Sequence, residues 1–263
     1  MEQLIKDKIL EVEKRFHVKV LFAIDAGSRA WGFPSQDSDY DVRFIYIHQP
    51  DWYLSIDQQG VGTKQNVIEL PIDEMLDMSG WEITKALRLF RKSNPSLLEW
   101  LRSSIVYYEK YSFIEDLKRL EPMVFKPSTC LYHYMNIAES NYHEHLQGPI
   151  VKAKKYFYAL RAALACEWIE KYKTAPPVEF KMLLEDILPD GELKDEIEQL
   201  QKRKMEGDEL DTESRNTIID EYLESELERI EAYSKRGKAP AGDPTPALNA
   251  LFRSTLMEVY PSS

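Results

Sequence analysis

Two apolar runs rich in β-forming residues lie close together near the start of the chain, and they limit the folds that it can adopt. The first covers residues 18–25 (VKVLFAID) and the second covers residues 40–47 (YDVRFIYI). The small residues 26–28 follow the first run directly, and residues 33–38 (FPSQDS) have the composition of a turn. Short apolar runs bounded by turn residues are typical of buried strands. The pattern therefore predicts two strands joined by a turn-rich connection.

The remaining chain divides into a mixed part and a helical part. Apolar spacing and composition predict a helix over residues 3–16, a third strand over residues 66–72 and a helix over residues 81–92. The C-terminal part is mostly helical, with the clearest predicted helices near residues 129–145, 150–173, 191–203, 213–235 and 246–258. We expect a domain of strands and helices over residues 1–110 and a helical domain over residues 111–263.

The formal net charge of −11 comes mainly from one segment. Residues 185–231 contain 18 acidic and 6 basic residues, so the rest of the chain is close to neutral. Apolar residues at helical spacing in this segment predict one buried helix face with a solvated acidic back: Ile219, Leu223, Leu227 and Ile230. An acidic chain is unsuited to coating nucleic acid by bulk charge. An enzyme that holds a short strand end in a local site remains compatible with it.

The composition favours a globular cytoplasmic protein. A hydrophobic fraction of 43% is enough for a buried core, which excludes wholesale disorder. No apolar run approaches the roughly 18 residues that a membrane span needs, and residues 1–16 lack the apolar core of a signal peptide. The chain has only two cysteines, too few for a disulfide framework. We therefore expect a cytoplasmic protein without a membrane partner.

The stretch after the first predicted strand carries a pattern suited to phosphate chemistry. Gly27 has no side chain, so the backbone can turn sharply and present its N–H groups to a phosphate, and Ser28 adds a hydroxyl at an expected helix N-terminus. Asp39 and Asp41 are two residues apart, so on a strand both side chains point to one face. Paired carboxylates bind hard divalent cations that also bridge to phosphate oxygens. Two-metal sites of this type catalyse in-line phosphoryl or nucleotidyl transfer.

This arrangement resembles the DNA polymerase beta-like nucleotidyltransferase superfamily, in which Gly-Ser or Gly-Gly precedes Asp-x-Asp by about ten residues. Several blocks are similar to the bacterial predicted nucleotidyltransferase family associated with RNA repair: GSRAWGFPSQDSDYDVRFIYI, DWYLSI, SGWEITKALRLFRKSNPSLLEWLRS and KKYFYALRAALACEWIE. The resemblance covers about residues 18–175. It implies an α+β fold, with a mixed sheet and helices in the nucleotidyltransferase domain and a helical C-terminal lobe after it.

The resemblance also implies an activity. The enzyme would transfer a nucleoside monophosphate from an NTP such as ATP to a hydroxyl group, with release of pyrophosphate, and would use Mg²⁺ or Mn²⁺. The family favours an RNA 3′ end as the acceptor. Proteins and small molecules such as antibiotics are modified by the same core and stay open as acceptors. An antitoxin-like regulatory partner is a further alternative, since minimal nucleotidyltransferases can neutralise a ribonuclease.

The resemblance calls for a third carboxylate on a later strand, and two acids compete for that role. Asp77 stands between Leu76 and Met78 in the apolar-acid-apolar context that the superfamily uses, four residues before Trp81. Glu69 has similar apolar neighbours and is the alternative. We favour Asp77. In the implied mechanism the three carboxylates bind two Mg²⁺ ions, and Asp77 helps to activate the acceptor hydroxyl.

Basic residues near these motifs are candidates for binding the triphosphate, whose β- and γ-phosphates the resemblance assigns to Gly27 and Ser28. Arg29 follows the glycine turn and Arg43 follows the Asp-x-Asp pair. Lys155 and Arg161 belong to the KKYFYALR block of a predicted helix. A solvated basic helix face is the alternative interpretation of Lys155 and Arg161.

Overall fold

The computed structural model describes residues 1–34, 38–56, 66–73, 75–205, 212–234 and 242–261. The chain forms two compact units, each built from separate stretches of sequence. The first comprises Met1–Ala30, Asp39–Phe125 and Ala241–Ser263, and the second comprises Trp31–Ser38 and Lys126–Pro240. The chain therefore enters the second unit after Ala30 and again after Phe125, and it returns to the first unit at Asp39 and at Ala241. The single domain boundary after residue 110 stays a prediction.

Within the described residues, the first unit contains a five-stranded mixed sheet, and the predicted α+β class is confirmed. Its strands are β1 (Val18–Asp25), β2 (Tyr40–His48), β3 (Val67–Asp73), β4 (Leu76–Glu82) and β5 (Val106–Glu109). They lie in the order β3-β4-β2-β1-β5. Strands β2 and β4 are parallel, and the other neighbouring pairs are antiparallel. The first three strands confirm the runs predicted from composition.

One face of this sheet is covered by helix α1 (Glu2–Phe16), which confirms the predicted N-terminal helix. Ile5, Ile9 and Val12 repeat at the spacing that places them on one side of a helix, and all three are buried. They belong to the same apolar cluster as Val42 and Phe44 of β2. The intervening residues of β2 and β4 therefore face away from α1, and these include Asp41 of β2 and Asp77 of β4.

Strand β4 ends where a buried carboxylate starts the next helix, α3 (Ile83–Arg91). The Glu82 side chain is fully buried, and it accepts hydrogen bonds from the backbone N–H groups of Thr84 and Lys85 at 2.8 and 3.2 Å. This N-cap satisfies donors that have no partner within the helix. The helix predicted from residue 81 is thus too long at its start, because Trp81 and Glu82 pair as strand residues with β2.

The other helices of the first unit are α2 (Pro50–Tyr53), α4 (Pro95–Trp100), α5 (Phe113–Val124) and α11 (Thr245–Val259). Helix α4 begins with a strong local signal, because the Asn94 side chain caps it and a proline occupies its first position. Helix α11 confirms the helix predicted near the end of the chain.

The second unit is mainly helical. Its helices are α6 (Pro127–His145), α7 (Ala153–Tyr172), α8 (Phe180–Ile187), α9 (Glu192–Met205) and α10 (Thr217–Ser234), and two short strands, β6 (Ile150–Val151) and β7 (Glu213–Ser214), pair beside them. The predicted stripe of the acidic segment lies on α10, and each of its four residues is at most 7% exposed. The prediction of a buried face with an acidic back is therefore confirmed. No helix in the described residues is long and apolar enough to cross a membrane.

The parallel pairing of β2 and β4 requires a residue without a side chain at position 80. Gly80 is the register partner of Phe44, and a Cβ atom at Gly80 would lie 2.1 Å from the Phe44 ring. Phe44 is 1% exposed, so its ring has no free space into which to move.

We therefore expect Gly80→Ala to lower the free energy of unfolding by about 2 kcal/mol through overpacking. Gly242→Ala is the matched control, because a Cβ at Gly242 would meet nothing within 4 Å. Its effect should stay within about 0.5 kcal/mol. Urea denaturation of both variants measures the difference, and equal stability of the two would contradict the packing described for Phe44.

Candidate active site

The turn after β1 is built on the carboxylate that ends the strand. Asp25 is fully buried, and its Oδ1 accepts a hydrogen bond from the backbone N–H of Gly27 at 2.9 Å. The N–H of Ala26 donates to the carbonyl oxygen of Asp41 on the neighbouring strand at 2.9 Å. Residues 27–32 form turns and a bend rather than a helix, so the expected helix N-terminus at Ser28 is wrong. The hydrogen bond to the Asp25 side chain therefore stabilises a turn where the sequence predicted the start of a helix.

Gly27 brings this turn into direct contact with an acidic side chain of β2. A Cβ atom at Gly27 would lie 2.2 Å from Oδ2 of Asp41. No side chain fits at this distance, so the close approach of turn and carboxylate depends on glycine. Phosphate groups that contact the turn amides would lie beside the Asp41 carboxylate.

Asp41 and Asp77 are register partners on the parallel strands β2 and β4. Their side chains point to the same face of the sheet, since facing residues of neighbouring strands share a face. Arg43 joins the two acids: its Nη2 is 3.1 Å from Oδ1 of Asp41 and its Nη1 is 2.9 Å from Oδ2 of Asp77. The structure thus brings together two of the three predicted carboxylates and one of the predicted basic residues.

Asp39 lies immediately before β2, which begins at Tyr40. Its carbonyl oxygen accepts a hydrogen bond from Nε of Arg29 at 3.2 Å, and the Arg29 guanidinium lies 3.8 Å from the centre of the Tyr40 ring. The expectation that Asp39 and Asp41 both belong to the strand is therefore correct only for Asp41. Asp39 is exposed at the approach to the strand.

The alternative third carboxylate, Glu69, lies on the edge strand β3 opposite Ser79. Strand β4 separates β3 from β2, so Glu69 is two strands away from Asp41. The sheet places Asp77, and not Glu69, beside Asp41.

The two predicted nucleotide ligands of the helical region belong to the second unit. Arg161 is 5% exposed; its Nε donates to the carbonyl oxygen of Val178 at 3.3 Å, and its guanidinium lies 4.9 Å from the Trp31 ring. The Nζ of Lys155 donates to Oδ1 of Asn141 at 3.4 Å. Both residues thus make contacts within their own unit, and their role in binding nucleotide stays a prediction.

Sequence reasoning missed the residues that support the glycine turn. The hydroxyl of Tyr107 on β5 donates to Oδ2 of Asp25 at 3.0 Å, and the Ser103 hydroxyl donates to the Asp25 carbonyl oxygen at 2.7 Å. Burial raises the pKa of the Asp25 carboxyl, in spite of hydrogen bonds from Gly27 and Tyr107 that favour its charged form. The available signal was an acid at the end of an otherwise apolar run.

The donor set at this site fits a hard divalent cation. Asp41 and Asp77 offer carboxylate oxygens, and Mg²⁺ is commonly bound by one or two carboxylates together with waters and substrate phosphates. Across the described parts of the chain, no three His, Cys, Asp or Glu side chains converge on one point suited to a metal ion. Participation of Asp39 would therefore require its side chain to turn toward the other two acids.

The chain is similar to a known protein family and to individual proteins. The chain matches, over residues 1–254, the family described as the RNA repair pathway DNA polymerase beta family. It is 50% identical over 260 residues to the uncharacterized protein YcgL of Bacillus subtilis (strain 168), covering 99% of this chain and 98% of that protein. A solved nucleotidyltransferase-like protein from Exiguobacterium sibiricum 255-15 is similar at 12% identity with a TM-score of 0.32, over 99% of this chain and 90% of the other. Because the family match extends over nearly the whole sequence, the chain belongs to the RNA repair pathway DNA polymerase beta family.

Proposed function

We propose that the protein is a metal-dependent nucleotidyltransferase that moves a nucleoside monophosphate from an NTP to a hydroxyl acceptor, with release of pyrophosphate. One observation carries the proposal: Asp41 and Asp77 are register partners on parallel strands, and Asp41 also contacts the turn at Gly27. A carboxylate pair beside a glycine turn puts cation ligands and phosphate-binding amides next to each other. Membership of the polymerase beta family supports the same chemistry.

Each residue has a distinct part in this proposal. Asp41, Asp77 and Asp39 would together bind Mg²⁺ or Mn²⁺. The cation would stabilise the negative charge on the phosphate oxygens while pyrophosphate is displaced from the NTP. Gly27 and Ser28 would bind the β- and γ-phosphates through a backbone amide and a hydroxyl. Asp77 lies on β4, on the side of β2 that is away from β1 and the glycine turn, and in this position it would accept the proton of the attacking hydroxyl.

The basic residues would neutralise the triphosphate. Arg29 is adjacent to the glycine turn. Lys155 and Arg161 belong to the second unit, and their part in binding the nucleotide stays a prediction. Arg43 is the remaining residue that the sequence predicts to bind the triphosphate. The protein would use ATP or another NTP in the cytoplasm.

We propose an RNA 3′ end as the acceptor, and two findings support it. The family to which the chain belongs is described by its place in RNA repair. The net negative charge lies in residues 185–231, and the remainder, with 27 acidic and 28 basic residues, is close to neutral and does not repel a short RNA end. The weak overall attraction predicts engagement of strand ends rather than extended binding.

The acceptor is tested with α-labelled NTPs, Mg²⁺ and matched RNA oligonucleotides that end in a 3′-hydroxyl or a 3′-deoxy residue. Transfer of label to the 3′-hydroxyl RNA alone is the expected result. Label on a protein or a small molecule, with none on RNA, would establish the alternative acceptors and contradict the RNA assignment. Absence of transfer to any acceptor, with a ribonuclease neutralised on binding, would favour the antitoxin-like alternative.

We expect Asp41→Asn and Asp77→Asn each to lower the rate of transfer by at least about 100-fold, because each removes a charged cation ligand but keeps the side-chain shape. Asp116→Asn is the control, since Asp116 pairs with Arg119 on helix α5. The rate is measured with saturating NTP. Normal activity of Asp77→Asn, together with a large loss in Glu69→Gln, would show that Glu69 is the third carboxylate.

Gly27→Ala should lower kcat/KM by about 100-fold, because its Cβ would displace the Asp41 carboxylate and separate it from the turn. The variant is compared with Gly242→Ala by kinetics and by thermal unfolding. A loss of activity with a preserved fold is expected, whereas unchanged kcat/KM would contradict the role of the turn.

A further inference from the structure

Arg43 holds a fixed position between the two paired acids. Beyond its contacts with Asp41 and Asp77, its Nη1 donates to the carbonyl oxygen of Val42 at 3.1 Å. Its side chain is 23% exposed, while those of Asp41 and Asp77 are 29% and 48% exposed. A planar guanidinium held at three points has little freedom to rotate, and such a fork matches carboxylates better than a lysine does.

Arg43 contacts one oxygen of each acid, and a bridging cation would bind oxygens of the same two carboxylates. One guanidinium contacts Oδ1 of Asp41 and Oδ2 of Asp77, so these two oxygens lie on the same side of the site. The other oxygen of Asp41 lies against the Gly27 turn. A cation that binds the same two oxygens would therefore compete with the guanidinium for them.

We propose that Arg43 is a resident counter-ion that competes with divalent cations for the Asp41–Asp77 pair. The inference rests on the proposed function, because it takes this pair as the metal site. Without the guanidinium, two neighbouring carboxylates repel each other and attract cations strongly. With it, part of their charge is already neutralised, so a cation gains less on binding.

This arrangement makes cation binding depend on the substrate. In the absence of nucleotide, Arg43 keeps the affinity of the acids for metal low. The triphosphate brings additional anionic oxygens, which are ligands for Mg²⁺ and also natural partners of a displaced guanidinium. Metal and nucleotide would then enter the site together, and Arg43 acts as a positioning residue rather than a catalytic one.

The test measures Mn²⁺ binding without nucleotide, by calorimetry and by the electron paramagnetic resonance signal of free Mn²⁺. Arg43→Gln is expected to bind Mn²⁺ about tenfold more tightly than the wild type, because two partly exposed charge pairs no longer compete with the cation. Arg43→Lys keeps the positive charge but loses the planar guanidinium, so its affinity for Mn²⁺ should lie between those of the wild type and Arg43→Gln. It replaces Arg43→Gln in the test if that variant does not fold. Arg88→Gln is the control; its guanidinium donates to Thr84 on α3.

The outcomes separate this inference from the proposed function. Equal or weaker Mn²⁺ binding by Arg43→Gln and Arg43→Lys, in a protein whose binding is lost in Asp41→Asn, overturns the counter-ion role alone. Mn²⁺ binding that Asp41→Asn and Asp77→Asn leave unchanged overturns the metal site itself. If Arg88→Gln increased the affinity for Mn²⁺ as much as Arg43→Gln, the increase would come from the change in net charge alone. That result would also contradict the inference.

Discussion

The placement of Asp41 beside Asp77 on two parallel strands is the constraint on which the rest of the site depends. Strands of a sheet are about 4.8 Å apart, so carboxylates on facing residues repel each other unless positive charge lies between them. Arg43 supplies that charge in the protein described here. A divalent cation is the other group that satisfies the same oxygens. The face with the acids is opposite the face that α1 covers, and the side chains of Asp41 and Asp77 are 29% and 48% exposed there.

A second set of contacts aligns the glycine turn, which we propose to bind phosphate, with this acid pair. Gly27 allows the turn to touch Asp41, and the buried Asp25 fixes the turn from below. Asp25 accepts hydrogen bonds from Tyr107, which is within β5, and from Ser103, which lies just before β5. The edge strand β5 and the residues just before it therefore support the turn through Asp25. Supporting hydrogen bonds of this type keep a site within the small positional error that catalysis allows.

Local signals in the sequence predicted the elements, and contacts between distant residues decided the geometry. The runs at residues 18–25 and 40–47 predicted β1 and β2, because composition and turn residues act over short distances. The parallel pairing of β2 with β4 is a long-range property, and so is the position of Arg43 between two acids. The choice of Asp77 over Glu69 came from flanking residues, and the strand order explains why only Asp77 lies next to Asp41.

The central claim is that the Asp41–Asp77 pair binds the catalytic cation beside the triphosphate. Crystals grown with Mn²⁺ and a non-hydrolysable NTP, measured at the manganese absorption edge, test it most directly. We expect an anomalous peak about 2.1 Å from an oxygen of each of these two acids, with the β- and γ-phosphates at the turn of Gly27 and Ser28. A manganese peak bound only by Glu69 or other acids, or a triphosphate away from that turn, would contradict it.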